Sequence, residues 1–170
     1  MSLEIRKAEP QDYEDFIRLC GNVDRLHTTH LPWIFCTPQG PTRTLDYYRE
    51  RLADPASLIL LATLDRDPVG FVVAFLRETP PVPIMIQTRF LVIDNLGVQE
   101  QHRGRGAGTA LMYAAEEWGL KLGATRVELN VYFFNENAIR LYEELGYTAT
   151  CQRMVKPIQP ASPGNQKALT

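Results

Sequence analysis

The sequence predicts an α/β domain of the mixed α+β kind, with antiparallel strands early and strand–helix units late. Three observations predict it. The chain opens with an alternating run followed by apolar residues at helical spacing; a hairpin pattern lies near its middle; and two amphipathic helical stretches in the last third each end at a glycine.

Taking the elements in order, residues 3–8 alternate as a short strand, and Pro10 opens a helix in which Tyr13, Phe16, Ile17 and Cys20 recur at helical spacing. Residues 21–44 lose that pattern among His, Pro, Gly and aromatic residues and are expected to be irregular. Residues 45–52 resume as a helix stopped near Pro55. Residues 57–64 read as a strand, Asp65-Arg66-Asp67-Pro68 as its turn and residues 69–77 as the antiparallel partner. Pro80, Pro81 and Pro83 cannot supply ladder N–H groups, so a loop precedes the next strand, expected over residues 87–98.

A glycine cluster follows, then a helix over residues 106–122 with Leu111, Ala114, Ala115, Trp118 and Leu122 on one face and Gly123 as a left-handed cap. Residues 125–132 alternate as a strand. Asn135 begins a helix with Ala138, Leu141, Tyr142 and Leu145 inward, Gly146 stops it, and residues 147–155 read as a last strand. The expected organisation is a single domain over residues 1–157 and a flexible C-terminal tail over residues 158–170, where Pro, Ser, Gly and Asn accumulate.

Composition narrows the function. Lys and Arg number 18 against 20 Asp and Glu, a formal net charge of −2, so no positive field gathers nucleic acid or an anionic membrane. Cys20, Cys36 and Cys151 lie far apart without metal-ligand spacing and read as free thiols. His27 and His30 stand three apart, but no Asp, Glu or Cys cluster completes a metal site, so none is expected. With no basic leader and no apolar run near the ~20 residues of a membrane span, the expected location is cytoplasmic.

The strand–Arg103-Gly104-Arg105-Gly106-Ala107-Gly108–helix arrangement aims backbone N–H groups at one spot beside a helix N-terminus, which suits an anion. Glycines let the backbone approach a pyrophosphate, and Arg103 and Arg105 can add charge. A P-loop would need a lysine where Gly108-Thr109-Ala110 has none, and a dinucleotide fold would place such a loop after its first strand.

These residues resemble the GNAT superfamily of N-acetyltransferases. Arg103-x-x-Gly106-x-Gly108 matches the family's loop pattern, Asp94-Asn95-Leu96-Gly97-Val98 is similar to the end of its fourth strand, and Asn135-x-x-Ala138-x-x-Leu141-Tyr142-x-x-Leu145-Gly146-Tyr147 is similar to its last helix. The resemblance implies a GNAT fold: a central mixed, mostly antiparallel sheet of six to seven strands with about four helices, whose parallel strands four and five splay apart. It implies acetyl-CoA as co-substrate and an amine acceptor as partner. Leu96, Gly97 and Val98 would contact the pantetheine arm, residues Arg103, Gly104, Arg105, Gly106, Ala107, Gly108 and Thr109 the pyrophosphate, and Asn135 and Tyr142 the coenzyme as well. A homodimer is left open.

The resemblance also implies that Tyr142 is the general acid for the departing thiolate. The glutamate bases of two family branches fall on Val92 and Asn130, neither of which accepts a proton. Asp94, on the face of Val92 by period-2 alternation, is the candidate base, and Glu128 is second. Main-chain N–H groups over residues 96–98 could stabilise the oxyanion. His27, His30, Trp33, Phe35, Tyr47 and Tyr48 could line an acceptor site for an apolar or aromatic amine, and no acidic patch there favours a polycation. The alternative function is a non-catalytic coenzyme A-binding or regulatory domain.

Overall fold

The computed structural model describes residues 2–156. Its strands are β1 (Leu3–Lys7), β2 (Ser57–Leu64), β3 (Asp67–Glu78), β4 (Arg89–Val98) and β5 (Val127–Leu129), and its helices are α1 (Tyr13–His30), α2 (Leu45–Ala53), α3 (Ala107–Lys121) and α4 (Glu136–Glu144). The strands form one sheet in the order β1-β2-β3-β4-β5, antiparallel through β4, with β4 and β5 parallel.

Alternation along the sheet divides the core in two. Leu58, Leu60 and Ala62 of β2, Val72 and Ala74 of β3, and Leu91 and Ile93 of β4 pack with α3 residues Leu111, Met112 and Ala115. Ile59, Leu61, Phe71, Val73 and Phe75 face the other way, against Phe16, Leu19 and Cys20 of α1 and Tyr48 of α2. With helices on both faces, the middle of β2 is buried at every position, which its uninterrupted Leu-Ile-Leu-Leu-Ala run anticipates. The β2–β3 turn has two residues, Asp65 and Arg66, both at positive φ, the geometry that joins twisted antiparallel strands most tightly.

The structure corrects four sequence expectations. α1 does not stop near Gly21 but continues to His30, because Val23 and His27 find packing partners that the local pattern does not reveal. The strand expected over residues 125–132 is reduced to Val127–Leu129. Residues 147–155, expected to be a further strand, carry no strand pairing among the described residues, so the sheet has five strands rather than six or seven. Leu122 is the C-cap of α3 and is exposed, since the helix has ended where its periodic face would bury it. The expected tail, residues 158–170, lies outside the described residues. Among the described residues no helix is long and apolar enough to cross a membrane.

Candidate active site

Where β4 and β5 part, the sheet opens. Their parallel pairing runs from Leu91↔Val127 to Ile93↔Leu129 and no further, while β4 itself continues to Val98. Residues 94–98 therefore have a strand neighbour only on the β3 side, and their outer backbone groups are offered to whatever enters the gap. A β-bulge coincides with the start of that stretch. Val73 pairs with Asn95 and Ala74 with Ile93, which leaves Asp94 opposite no residue of β3.

Beyond β4, a short 3-10 turn, Glu100–His102, leads into the glycine loop. Gly104 and Gly106 have φ of +71° and +84°, a left-handed conformation that calls for glycine, and a Cβ on either would meet nothing within 4 Å, so the space beside the loop is open. Gly106 is the N-cap of α3, whose first turn carries no acidic residue. The first intrahelical bond runs from the Ala110 N–H to the Gly106 carbonyl, so the N–H groups of Ala107, Gly108 and Thr109 have no acceptor inside the helix. Such an end attracts an anion, and the open space beside residues 104 and 106 leaves the backbone free to approach one. Arg103 is exposed, and its Nε donates to the Val98 carbonyl at 3.2 Å; Arg105 is exposed beside it.

α4 closes the same corner. A Cβ on Gly108 would stand 3.2 Å from Leu141 Cδ2 and 3.9 Å from Val98 Cγ2, so the first turn of α3, the middle of α4 and the end of β4 converge there. Tyr142, next to Leu141, packs on the α3 side of the core and 5.8 Å from the Tyr147 ring. Its hydroxyl has no hydrogen-bond partner among the described residues, and burial pushes its pKa up to about 12. Asn135 is the N-cap of α4: the Ala138 N–H donates to its Oδ1 at 3.3 Å.

Other expected site residues have structural duties. Leu96 and Val98 lean on the α3-side core. Gly97 is required by close packing, because a Cβ there would stand 2.7 Å from both Phe71 Cε1 and Val23 Cγ2. Asp94 is exposed and accepts from Asn95 Nδ2 at 2.7 Å; burial raises the pKa of Tyr47 and of Cys20, both on the α1–α2 side, and the Asp94 charge adds to it. Glu128 is held by Arg126, whose Nε donates to it at 2.7 Å.

On the α1 side of the opening lies a cavity of about 250 Å³, between the second half of α1, the α1–α2 connection and β4. Asp24, His27, Phe35, Arg43 and Asn95 are among its walls. Arg43 Nη1 donates to both Asp24 oxygens at 2.6 Å, and Arg43 Nη2 to Asn95 Oδ1 at 3.1 Å, which ties the connection to β4. Burial lowers the Arg43 pKa, but the bonds and charge of Asp24 outweigh it, so the net shift is upward and the guanidinium stays charged. The His27 ring stacks on Phe35 at 5.2 Å and meets Tyr132 edge-on at 5.4 Å; His30 stacks on Phe134 at 4.5 Å.

The expected aromatic lining divides accordingly. His27 and Phe35 line the cavity, Trp33 is exposed, and Tyr48 is fully buried with its hydroxyl donating to the Glu9 carbonyl, so it belongs to the core and not to an acceptor site. Sequence reasoning missed Asp24, Arg43, Asn95, Tyr132 and Phe134, which four separate chain segments bring together. Only the aromatic run at residues 132–134 signalled itself.

The family model described as "Acetyltransferase (GNAT) family" matches residues 25–147. An L-amino acid N-acetyltransferase, AaaT of Escherichia coli (strain K12), is 31% identical over 150 residues, covering 84% of this chain and 81% of that protein. An L-ornithine N5-acetyltransferase, NATA1 of Arabidopsis thaliana, is 35% identical over 77 residues, 45% of this chain and 32% of that protein. The crystal structure of a tetramutant of the BH1408 protein from Bacillus halodurans superposes with a TM-score of 0.85 at 31% identity, covering 91% of this chain and 99% of that one.

Proposed function

Because the chain belongs to the GNAT acetyltransferase family, we propose that it transfers the acetyl group of acetyl-CoA by direct attack of a primary amine, borne by a small molecule or a peptide. The observation that carries this reading is the end of the β4–β5 ladder at Ile93↔Leu129, directly upstream of a glycine loop with free helix N–H groups. An extended arm with amide groups can pair with the open edge over residues 94–98 while its diphosphate rests on residues 104–109.

When bound, acetyl-CoA supplies the thioester carbonyl that the amine attacks. The protein's work is to hold that carbonyl against main-chain N–H groups near the bulge, to admit a neutral amine and to protonate the leaving sulfur. Tyr142 is the acid in this reading. Burial raises its pKa to about 12, so the phenol keeps its proton at neutral pH until a strongly basic thiolate forms beside it. Asp94, a carboxylate at the bulge, draws an incoming ammonium to β4.

The names of the relatives favour an amino acid as the first acceptor to test. The experiment is a screen of acetyl-CoA with the L-amino acids, simple alkylamines and short peptides, scored by free thiol. Acceptor-dependent release supports transfer. Coenzyme binding by thermal shift without release from any amine supports instead the non-catalytic coenzyme-binding domain.

A further inference from the structure

The proposed transfer needs a proton acceptor on the amine's side of the sheet, and we infer that His27 is that general base; the inference rests on the acetyltransferase reading above. His27 belongs to α1, on the face of the sheet opposite α3 and α4. Its ring touches Phe35 from the α1–α2 connection and Tyr132 from the segment after β5, and it shares the walls of the 250 Å³ cavity with Asn95 of β4. It thus overlies the place where β4 and β5 separate, from the side away from the glycine loop and Tyr142. A coenzyme threaded through the gap presents its thioester toward that cavity, and an amine seated there has β4 on one wall and imidazole on another.

The ring is available for this work. Neither nitrogen has a hydrogen-bond partner among the described residues, and neither is sealed from solvent. Three aromatic neighbours fix its plane, with Phe134 the third at 6.0 Å. By contrast, the Asp94 carboxylate is occupied by the Asn95 amide, Glu128 by Arg126, and the His30 Nδ1 lies 2.9 Å from the Leu26 carbonyl. The charged and titratable groups around His27 are Asp24 and Arg43, paired with each other, together with Cys36, Tyr132 and His30. Burial is the largest influence on the imidazole and disfavours its cation; Asp24 opposes this, and Arg43 adds to it. The net direction is downward, so the ring is neutral at pH 7 and able to accept a proton.

The step balances as follows. The amine lone pair forms the C–N bond to the thioester carbonyl carbon, the proton on that nitrogen passes to the unprotonated His27 nitrogen, and the C–S bond breaks with its electron pair on sulfur. Tyr142 delivers a proton to the sulfur, giving free thiol and amide, and the phenolate left behind regains a proton from water. The imidazolium then releases its proton to water through the open cavity.

The test uses the full chain, acetyl-CoA and L-phenylalanine or phenethylamine as probe amines, comparing wild type with His27→Gln and His27→Ala. The expected result is a fall in kcat of about a hundredfold or more in both variants with unchanged KM for acetyl-CoA. The wild-type pH profile should carry an acidic limb below the ordinary histidine value, absent in His27→Gln, and added imidazole should restore part of the rate to His27→Ala. A kcat within about threefold of wild type with the acidic limb intact would overturn the assignment to His27 alone. A wild type that binds acetyl-CoA but releases no thiol with either probe or any amine of the screen overturns transfer itself, and His27 with it.

Discussion

Ile93 of β4 and Leu129 of β5 form the last rung that the two parallel strands share, and the bulge at Asp94 begins one residue later. This conjunction makes the site. A bulge bends and twists its strand, so β4 turns away from β5 where their pairing ends, and the backbone freed on its outer edge lies between the helix start at Gly106 and the cavity under α1. The first three predictions below depend on that geometry or on what supports it, and the fourth concerns the stability of the fold.

Gly106→Ala should weaken acetyl-CoA binding by at least about tenfold while lowering stability by only about 1–2 kcal/mol, the cost of a left-handed conformation for an ordinary residue. The new methyl meets no protein atom within 4 Å, so its effect on the ligand is separable from its effect on the fold. Calorimetric titration and thermal unfolding measure the two. Unchanged affinity in a folded variant would remove the loop from the coenzyme site.

Tyr142→Phe and Asp94→Asn should divide kcat from KM. Loss of the Tyr142 hydroxyl, which makes no hydrogen bond among the described residues, should leave melting temperature and coenzyme affinity nearly unchanged and lower kcat by about a hundredfold. Neutralising Asp94 should mainly raise the acceptor KM. Steady-state kinetics at saturating acetyl-CoA provide the check, and a Tyr142→Phe variant with full kcat would exclude the phenol as the acid.

Gly97→Ala should destabilise the protein by about 1–3 kcal/mol, because the added carbon would stand 2.7 Å from both Phe71 and Val23 in the packed layer between β4 and α1. The Phe71 ring and the Val23 side chain must shift, and the cavity that His27 shares with Asn95 should change with them. Denaturant unfolding and the acceptor KM are the measurements. Undiminished stability would mean that α1 is not held as close to β4 as the packing implies.

Acid stability should depend on Asp12. Arg6 donates to both its oxygens at 2.6 and 2.7 Å, and the Glu9 N–H adds a third bond at 2.8 Å. The Arg6 hydrogen bonds come first among the causes that hold the carboxyl below its ordinary value. A depressed folded-state pKa contributes stability that is fully present above the unfolded value of about 3.9 and is lost as pH falls through the folded one. Asp12→Asn should therefore cost about 2 kcal/mol at pH 7 and flatten the loss of stability below pH ~4, as seen by denaturant unfolding across pH. A variant with the wild-type acid profile would contradict this.

What the sequence by itself determined is whatever neighbouring residues dictate. Ser57–Leu64 was legible because an unbroken apolar run bounded by turn residues admits little else, and the start of α3 at Gly106 because a glycine cluster there precedes a run of apolar residues at helical spacing. Asn135, a helix cap, and Tyr142, on the helix that follows, were legible as parts of one amphipathic pattern. Only the tertiary structure decided the rest. The length of α1, the Arg43 bridge from Asp24 to Asn95, and the ring contacts of His27 with Phe35 and Tyr132 join residues up to about a hundred positions apart, and no local spacing encodes such a meeting. The strand expected over residues 147–155 fails for the same reason: alternation states that a segment can pair, and only a neighbour with a free edge in reach makes it a strand.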